Sequence, residues 1–313
     1  MKSVRRYGCS GRASVGWPCV AVAGRGGGPC VGARRNWFNT RWRQASSRPL
    51  ADKLQTSSLD TRLLRAVRSG QRDLWTAPVE DVLRNLVGGA QSVLFDFDGP
   101  LCRLFAGHPA EDVADGLLDW LDDRGQSGFL TAAERLARDP HAILAAAGRA
   151  FPGSALVASL EGRLSDEEAL AAKSAAPTPG AESLVREWHA AGVRLAVASN
   201  NCAEAVFRHL EGRDLLECFV GGLHGRAGDP QLLKPHPDCV HRALAALGQR
   251  AGTALMIGDS PNDLLAARSA GVAFLGYGRD ERHERRLREA GAGCVVSSPA
   301  PVLEVLRELR VRL

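Results

Sequence analysis

Three short apolar runs end in polar chemistry, and that recurrence restricts the folds open to this chain more than any other feature. Ser92-Val93-Leu94-Phe95 runs into Asp96-Phe97-Asp98-Gly99, Arg194 to Ala198 into Ser199-Asn200-Asn201, and Ala254 to Gly258 into Asp259-Ser260. Apolar runs of this length, separated by stretches of helical periodicity, read as buried strands of a mainly parallel sheet with helices on its faces. Such an α/β sheet binds ligands outside the carboxyl ends of its strands, which is where these acids, the hydroxyl and the amides fall. Each taken singly has a plain structural reading. Asp-x-Asp marks solvated loops, Ser or Asn before a helix caps it, and Asp in a first helical turn offsets the helix dipole. A fourth segment, Leu233-Lys234-Pro235-His236-Pro237, holds a Lys in a stiff turn ahead of a helix expected over Asp238 to Leu247. Packing gives no reason for four such segments to converge on one sheet edge.

Together, Asp96-x-Asp98-Gly99, the strand-end Ser199, Lys234-Pro235 and Gly258-Asp259-Ser260-x-x-Asp263 resemble the four motifs of the haloacid dehalogenase-like superfamily of phosphohydrolases, over roughly Ala90 to Leu313. The resemblance implies a three-layered, Rossmann-like α/β core and a role for each residue. Asp96 is then the nucleophile that attacks phosphorus to form an aspartyl-phosphate, and Asp98 protonates the leaving oxygen and later deprotonates the hydrolytic water. Alternate residues of an extended strand point the same way, so a spacing of two lets both carboxylates address one phosphate. Ser199 donates to a phosphoryl oxygen, and Lys234 supplies fixed positive charge to the phosphate and to Asp96. The amides of Phe97 and Asp98 bind phosphate, with Asn200 beside Ser199 in the same substrate-binding set. Carboxylates, a backbone carbonyl and waters suit Mg²⁺, with Asp96, the Asp98 carbonyl and Asp259 as ligands and Asp263 assisting directly, through water or by orienting Lys234. Arg103 and His108, just past the catalytic turn, are candidates for the substrate's leaving group; an exposed Arg and a hydrogen-bonded surface His describe them equally well.

Asp98 decides between two chemistries of that superfamily. A halide leaves without a proton, and the dehalogenases lack an acid at this position, whereas an alkoxide needs one. The expected activity is a Mg²⁺-dependent phosphatase acting on a small phosphorylated metabolite, similar in layout to phosphoglycolate phosphatases. Two other readings stay open. A phosphomutase of the β-phosphoglucomutase type keeps both aspartates, and a non-catalytic binding or regulatory protein would work through the basic tail. Closely spaced carboxylates that repel one another argue against the latter. Pro100 stands where Thr or Val commonly follows the Gly, so a stiffer turn, poorer by one N–H, is expected after the first strand.

About 95 residues separate the first two strands, more than a crossover helix needs. Helical patterns fill most of Asp112 to Lys173, so residues 100–178 are expected to form a small helical cap inserted into a core of residues 79–99 and 179–313. This insert carries six Arg and one Lys against twelve Asp and Glu, a net charge of −5 that disfavours polyanions as ligands. Between Ser199 and Lys234 there is room for a helix, a strand around Cys218 to Gly222 and a loop, so no second cap is expected.

Charge is uneven. Residues 1–50 hold one Lys and nine Arg without a single acid, while the whole chain carries only +5. With the following stretch to residue 78, this segment reads as a disordered basic tail and linker. A start-site artefact or dispensable leader is the favoured account of it; an arm for nucleic acid or anionic surfaces and an Arg-rich transit segment are the others. No run of about 18 apolar residues is present, so no membrane partner is expected. Eight scattered cysteines without Cys-x-x-Cys pairing suit reduced thiols in the cytoplasm. Oligomeric state is not legible.

Overall fold

A computed structural model describes residues 79–311; the expected tail and linker lie outside them. In chain order the elements are α1 (Val79–Gly89), β1 (Ser92–Phe95), β2 (Cys102–Arg103), α2 (Ala110–Asp122), α3 (Ala132–Ala137), α4 (Pro140–Ala150), α5 (Ala155–Ala171), β3 (Ala176–Pro177) and α6 (Ala181–Ala190). There follow β4 (Arg194–Ala198), α7 (Ala203–Glu211), β5 (Leu223–His224), α8 (Asp238–Leu247), β6 (Ala254–Gly258), α9 (Pro261–Ser269), β7 (Ala273–Tyr277), α10 (Glu281–Glu289), β8 (Val295–Val296) and α11 (Ala300–Val311).

Six strands form one parallel sheet in the order β5-β4-β1-β6-β7-β8. All four residues of β1 are buried, as expected of a strand covered on both faces. Alternation splits its side chains between two cores. Val93 and Phe95 join Leu195, Val197, Leu255 and Ile257 on one face, packed by α1, α6, α7 and α11, where the buried Trp188 meets Phe95 edge-on at 5.8 Å. Leu94 joins Ala196, Ala198 and Met256 on the other, under α8 and α9. Phe95 pairs with Val197 on one side and Ile257 on the other, so three strand ends lie abreast at the point where chain order reverses.

The insert has a core of its own, in which Val113, Leu117 and Leu121 of α2 pack with Ile143, Leu144, Leu160 and Leu164. Local sequence starts its helices. Thr131 and Glu134 form a reciprocal capping box, Asp139 caps α4 ahead of Pro140, and Ser154 caps α5. The chain enters and leaves the insert side by side, Cys102 and Arg103 pairing antiparallel with Pro177 and Ala176. The expected strand around Cys218 to Gly222 is displaced. Leu216–Cys218 is a 3₁₀ turn and β5 begins at Leu223. Gly221 lies so close to α8 that a Cβ there would sit 2.3 Å from Leu247, and Gly222 takes φ +80°, so this apolar stretch packs as a turn.

Candidate active site

Asp96 leaves the tip of β1 as the sheet's central acid and is 7 % exposed. Its Oδ1 accepts the Phe97 N–H at 2.7 Å and lies 2.8 Å from Lys234 Nζ. That ammonium also lies 2.5 Å from Asp263 Oδ1 and donates to the carbonyl of Ala198, the last residue of β4, at 3.1 Å. Asn200 fixes the lysine's backbone, its Oδ1 accepting Lys234 N–H at 2.7 Å and its Nδ2 donating to the Lys234 carbonyl at 3.3 Å.

Two glycines make this crowding feasible. Gly99 takes φ +106°, and a Cβ there would sit 2.4 Å from Asp259 Oδ2; at Gly258 a Cβ would meet Asp263 Cβ at 2.4 Å. Gly99 is therefore set by the Asp259 carboxylate of the other turn, and Gly258 by the Asp263 side chain of its own motif. Asp263 serves two structures at once. Its Oδ2 accepts from Ser260 N and Oγ in a capping box that starts α9, while Oδ1 faces Lys234.

Carboxylate oxygens of Asp96, Asp259 and Asp263 lie within 4.8 Å of one another. Burial and the neighbouring Asp263 push the Asp96 carboxyl up to about 6 against the pull of Lys234. Burial, then Asp263, Asp96 and Asp98, raise Asp259 well above the carboxylate range, and Arg279 Nη1, 3.6 Å away, offsets this only in part. Burial works against the charge on Lys234, but Asp263 and Asp96 outweigh it and hold the ammonium protonated. The cluster thus has more acid than its resident cation neutralises, and hard oxygen donors at this spacing fit a small divalent ion such as Mg²⁺. Asp98 stands apart from the trio. Its Oδ1 accepts the Leu104 N–H at 2.8 Å, and burial raises its pKa, which favours a protonated acid.

A cavity of about 250 Å³ opens over these groups. The core lines it with Asp96, Asp98, Ser199, Asn200, Asn201, Lys234, Asp259, Ser260, Asn262 and Asp263, and the insert side with Phe105, Ala110, Asp139, Pro140 and His141. Phe97 is wholly buried and offers only its backbone, its ring packing edge-on against His209. Ser199 caps no helix; the N-cap of α7 is Cys202, which provides no side-chain cap. The Ser199 hydroxyl instead donates to Asn201 Oδ1 at 3.1 Å and accepts Asn201 N–H at 3.3 Å. Arg103 and His108 do not line the cavity. Arg103 is exposed on β2, and His108 Nε2 is tied to Glu167 at 2.6 Å. The insert residues that do line it were carried in sequence by one faint signal, the Asp139-Pro140 helix start that sets His141 in the first turn of α4.

Residues 90–271, more than half of the chain, match the family model of the haloacid dehalogenase-like hydrolases. A phosphoglycolate phosphatase of Cereibacter sphaeroides is 32% identical over 199 residues, which cover 61% of this chain and 86% of that one. Another, of Vibrio parahaemolyticus, is 30% identical over 128 residues, 41% of this chain, and the match spans 55% of the relative's length. A solved structure of a predicted phosphatase from Clostridium acetobutylicum superposes with a TM-score of 0.51 at 20% identity, covering 71% of this chain and 98% of that one. At that identity the likeness is one of fold.

Proposed function

The chain belongs to the haloacid dehalogenase-like hydrolases, and from its site we propose that it is a Mg²⁺-dependent phosphatase that hydrolyses a small phosphomonoester through an aspartyl-phosphate. The observation that carries this reading is the pairing of Asp96 with Lys234 at 2.8 Å at the tip of the central strand, with Asp98 two residues on. Lys234 keeps Asp96 ionised enough to attack phosphorus, and the Phe97 amide, which donates to that carboxylate, would turn to a phosphoryl oxygen of bound substrate. Ser199, at the tip of β4, contributes a hydroxyl to the same phosphate. Asp98, raised by burial, gives its proton to the departing alkoxide and retrieves one from the water that cleaves the acyl phosphate.

Asp96, Asp259 and Asp263 would hold the Mg²⁺, with the Asp98 carbonyl as a further ligand. When bound, it supplies charge neutralisation for a phosphate dianion that four aspartates would otherwise repel. The helical insert is the cap that closes over the phosphate and excludes water, and its −5 charge favours a small metabolite over nucleic acid. Among the described residues five buried free thiols, Cys102, Cys202, Cys218, Cys239 and Cys294, suit the reducing cytoplasm. Among the described residues no helix is long and apolar enough to cross a membrane. The test is a panel of phosphorylated metabolites, with phosphoglycolate first because similar proteins carry that name, run with Mg²⁺ and with EDTA. Metal-dependent release of phosphate from at least one member, lost in Asp96→Asn, is expected. Turnover in metal-free enzyme at the full rate contradicts the proposal.

A further inference from the structure

One side chain of the insert reaches both the core and the insert walls of the cavity. Glu168, on α5, is wholly buried, and a carboxylate there must have partners for both oxygens. Its Oε1 accepts Asn201 Nδ2 at 3.0 Å and lies 2.9 Å from His141 Nε2; its Oε2 accepts the Cys202 N–H at 2.7 Å. Arg226 Nη1 donates to both oxygens at 3.0 Å. The Cys202 bond does for α7, from another lobe, what the third-residue glutamate of a capping box does within one helix. Arg226 is equally enclosed. Its Nε meets both oxygens of Glu161 at 2.7 and 2.8 Å, its Nη2 donates to Ser165 Oγ at 3.0 Å, and its Nη1 also donates to the Asn200 carbonyl at 2.8 Å. Glu161, Ser165 and Glu168 come from the insert; Asn200, Asn201, Cys202 and Arg226 come from the core.

We propose that Glu168 is a positioning residue that couples the insert to the phosphate site, aiming the Ser199 hydroxyl through Asn201 and setting His141 in the cavity wall. The chain of contacts is continuous. Glu168 holds Asn201 Nδ2, which orients the amide so that its Oδ1 accepts from Ser199, and the same carboxylate holds the imidazole that the insert presents to the ligand. A buried ion pair that served stability alone would be replaceable by neutral groups of similar volume. This one carries, in addition, a direct hydrogen bond from the insert to the Asn201 side chain whose Oδ1 accepts from Ser199. The inference rests on the proposed function for the role of Ser199, and inorganic phosphate provides a probe that needs no turnover.

The experiment is calorimetric titration of the full chain with inorganic phosphate in Mg²⁺, alongside melting temperatures and kcat and KM for the best panel substrate. Glu168→Gln is expected to weaken phosphate binding about tenfold or more, the effect of losing a hydrogen bond to a charged group. Because it leaves Arg226 short of a partner, it is paired with the double variant Glu168→Gln/Arg226→Gln, which removes both wholly buried charges and leaves only the partly exposed Glu161 without its guanidinium. The double variant should recover melting temperature without recovering phosphate affinity. Asn201→Ala leaves the Glu168–Arg226 pair in place and should show the same loss of affinity with little change in melting temperature. Phosphate affinity within twofold of wild type in folded Asn201→Ala or in the double variant overturns the inference. A wild type that binds phosphate but hydrolyses no phosphomonoester overturns the proposed function alone.

Discussion

Lys234→Met removes the charge on which the acidic cluster depends while keeping an unbranched side chain in its place. Lys234 is 4 % exposed and lies within ion-pair distance of two buried carboxylates, Asp96 at 2.8 Å and Asp263 at 2.5 Å. Removing one partner of a buried pair strands the other, at a cost of about 3–5 kcal/mol, and here the loss of the bond to the Ala198 carbonyl adds to it. Against a total stability of about 5–15 kcal/mol, such a deficit is easily read by urea unfolding. Its pH dependence identifies it as electrostatic. Asp96 already titrates at about 6 with the lysine present, so without it the carboxyl must sit higher still. A carboxyl whose folded pKa is raised destabilises the fold in full above that pKa, and the penalty shrinks as pH falls from the folded toward the unfolded value. The variant therefore takes up its proton before the wild type does as pH falls, and the gap measured at about pH 7.5 should close substantially by about pH 5. A deficit below about 1 kcal/mol, or one unchanged between those two pH values, would refute the charge balance described for this cluster.

Gly99→Ala should lower the melting temperature and raise the Mg²⁺ requirement together, because φ +106° is strained for alanine and its Cβ would displace the Asp259 carboxylate; an unchanged metal titration removes Asp259 from the ligand set. Glu168 has its carboxyl held at about 2, since His141 and Arg226 outweigh the burial that alone would raise it. A carboxyl lowered from about 4.5 contributes stability that is complete above that value and is lost as pH falls toward about 2, about 3 kcal/mol in all. Glu168→Gln should flatten the acid limb of the stability curve over that window, and a limb as steep as the wild type's would show that other groups set it.

The parts of the site carried by strand ends were legible because their backbone position follows from apolar runs alone. Asp96, Ser199 and Asp259 each stand one residue past a run that is buried throughout or nearly so, and the parallel register then brings them abreast. Helix α8 falls on the expected bounds, Asp238–Leu247, since Pro237 precedes it and Gly248 ends it in the left-handed region. Contacts between lobes were not legible. His141, Glu168 and Arg226 are polar residues in helices and a loop, where the default expectation is solvent, and nothing in their spacing says that three distant segments bury them together. Arg103 and His108 lie away from the cavity for the converse reason. Nearness in sequence to the Asp96–Gly99 turn did not survive the path of β2, which carries the chain out toward the insert. The shift of β5 has the same root, because the close approach of Gly221 to Leu247 is a tertiary constraint on a locally strand-like sequence.

The central claim is that Asp96 becomes phosphorylated during turnover, and chemical trapping tests it at the residue itself. Asp98→Asn should slow hydrolysis of the acyl phosphate, since no base remains to activate water, and with an activated aryl phosphate, whose leaving group needs no acid, let the intermediate accumulate. Quenching that variant with borohydride after mixing with substrate and Mg²⁺ reduces an aspartyl-phosphate to homoserine, which peptide mass spectrometry reads position by position. The expected result is conversion at Asp96, dependent on substrate and metal and absent from Asp96→Asn/Asp98→Asn. Trapping at a different residue, or steady turnover by Asp96→Asn at a rate within about tenfold of wild type, would contradict the account.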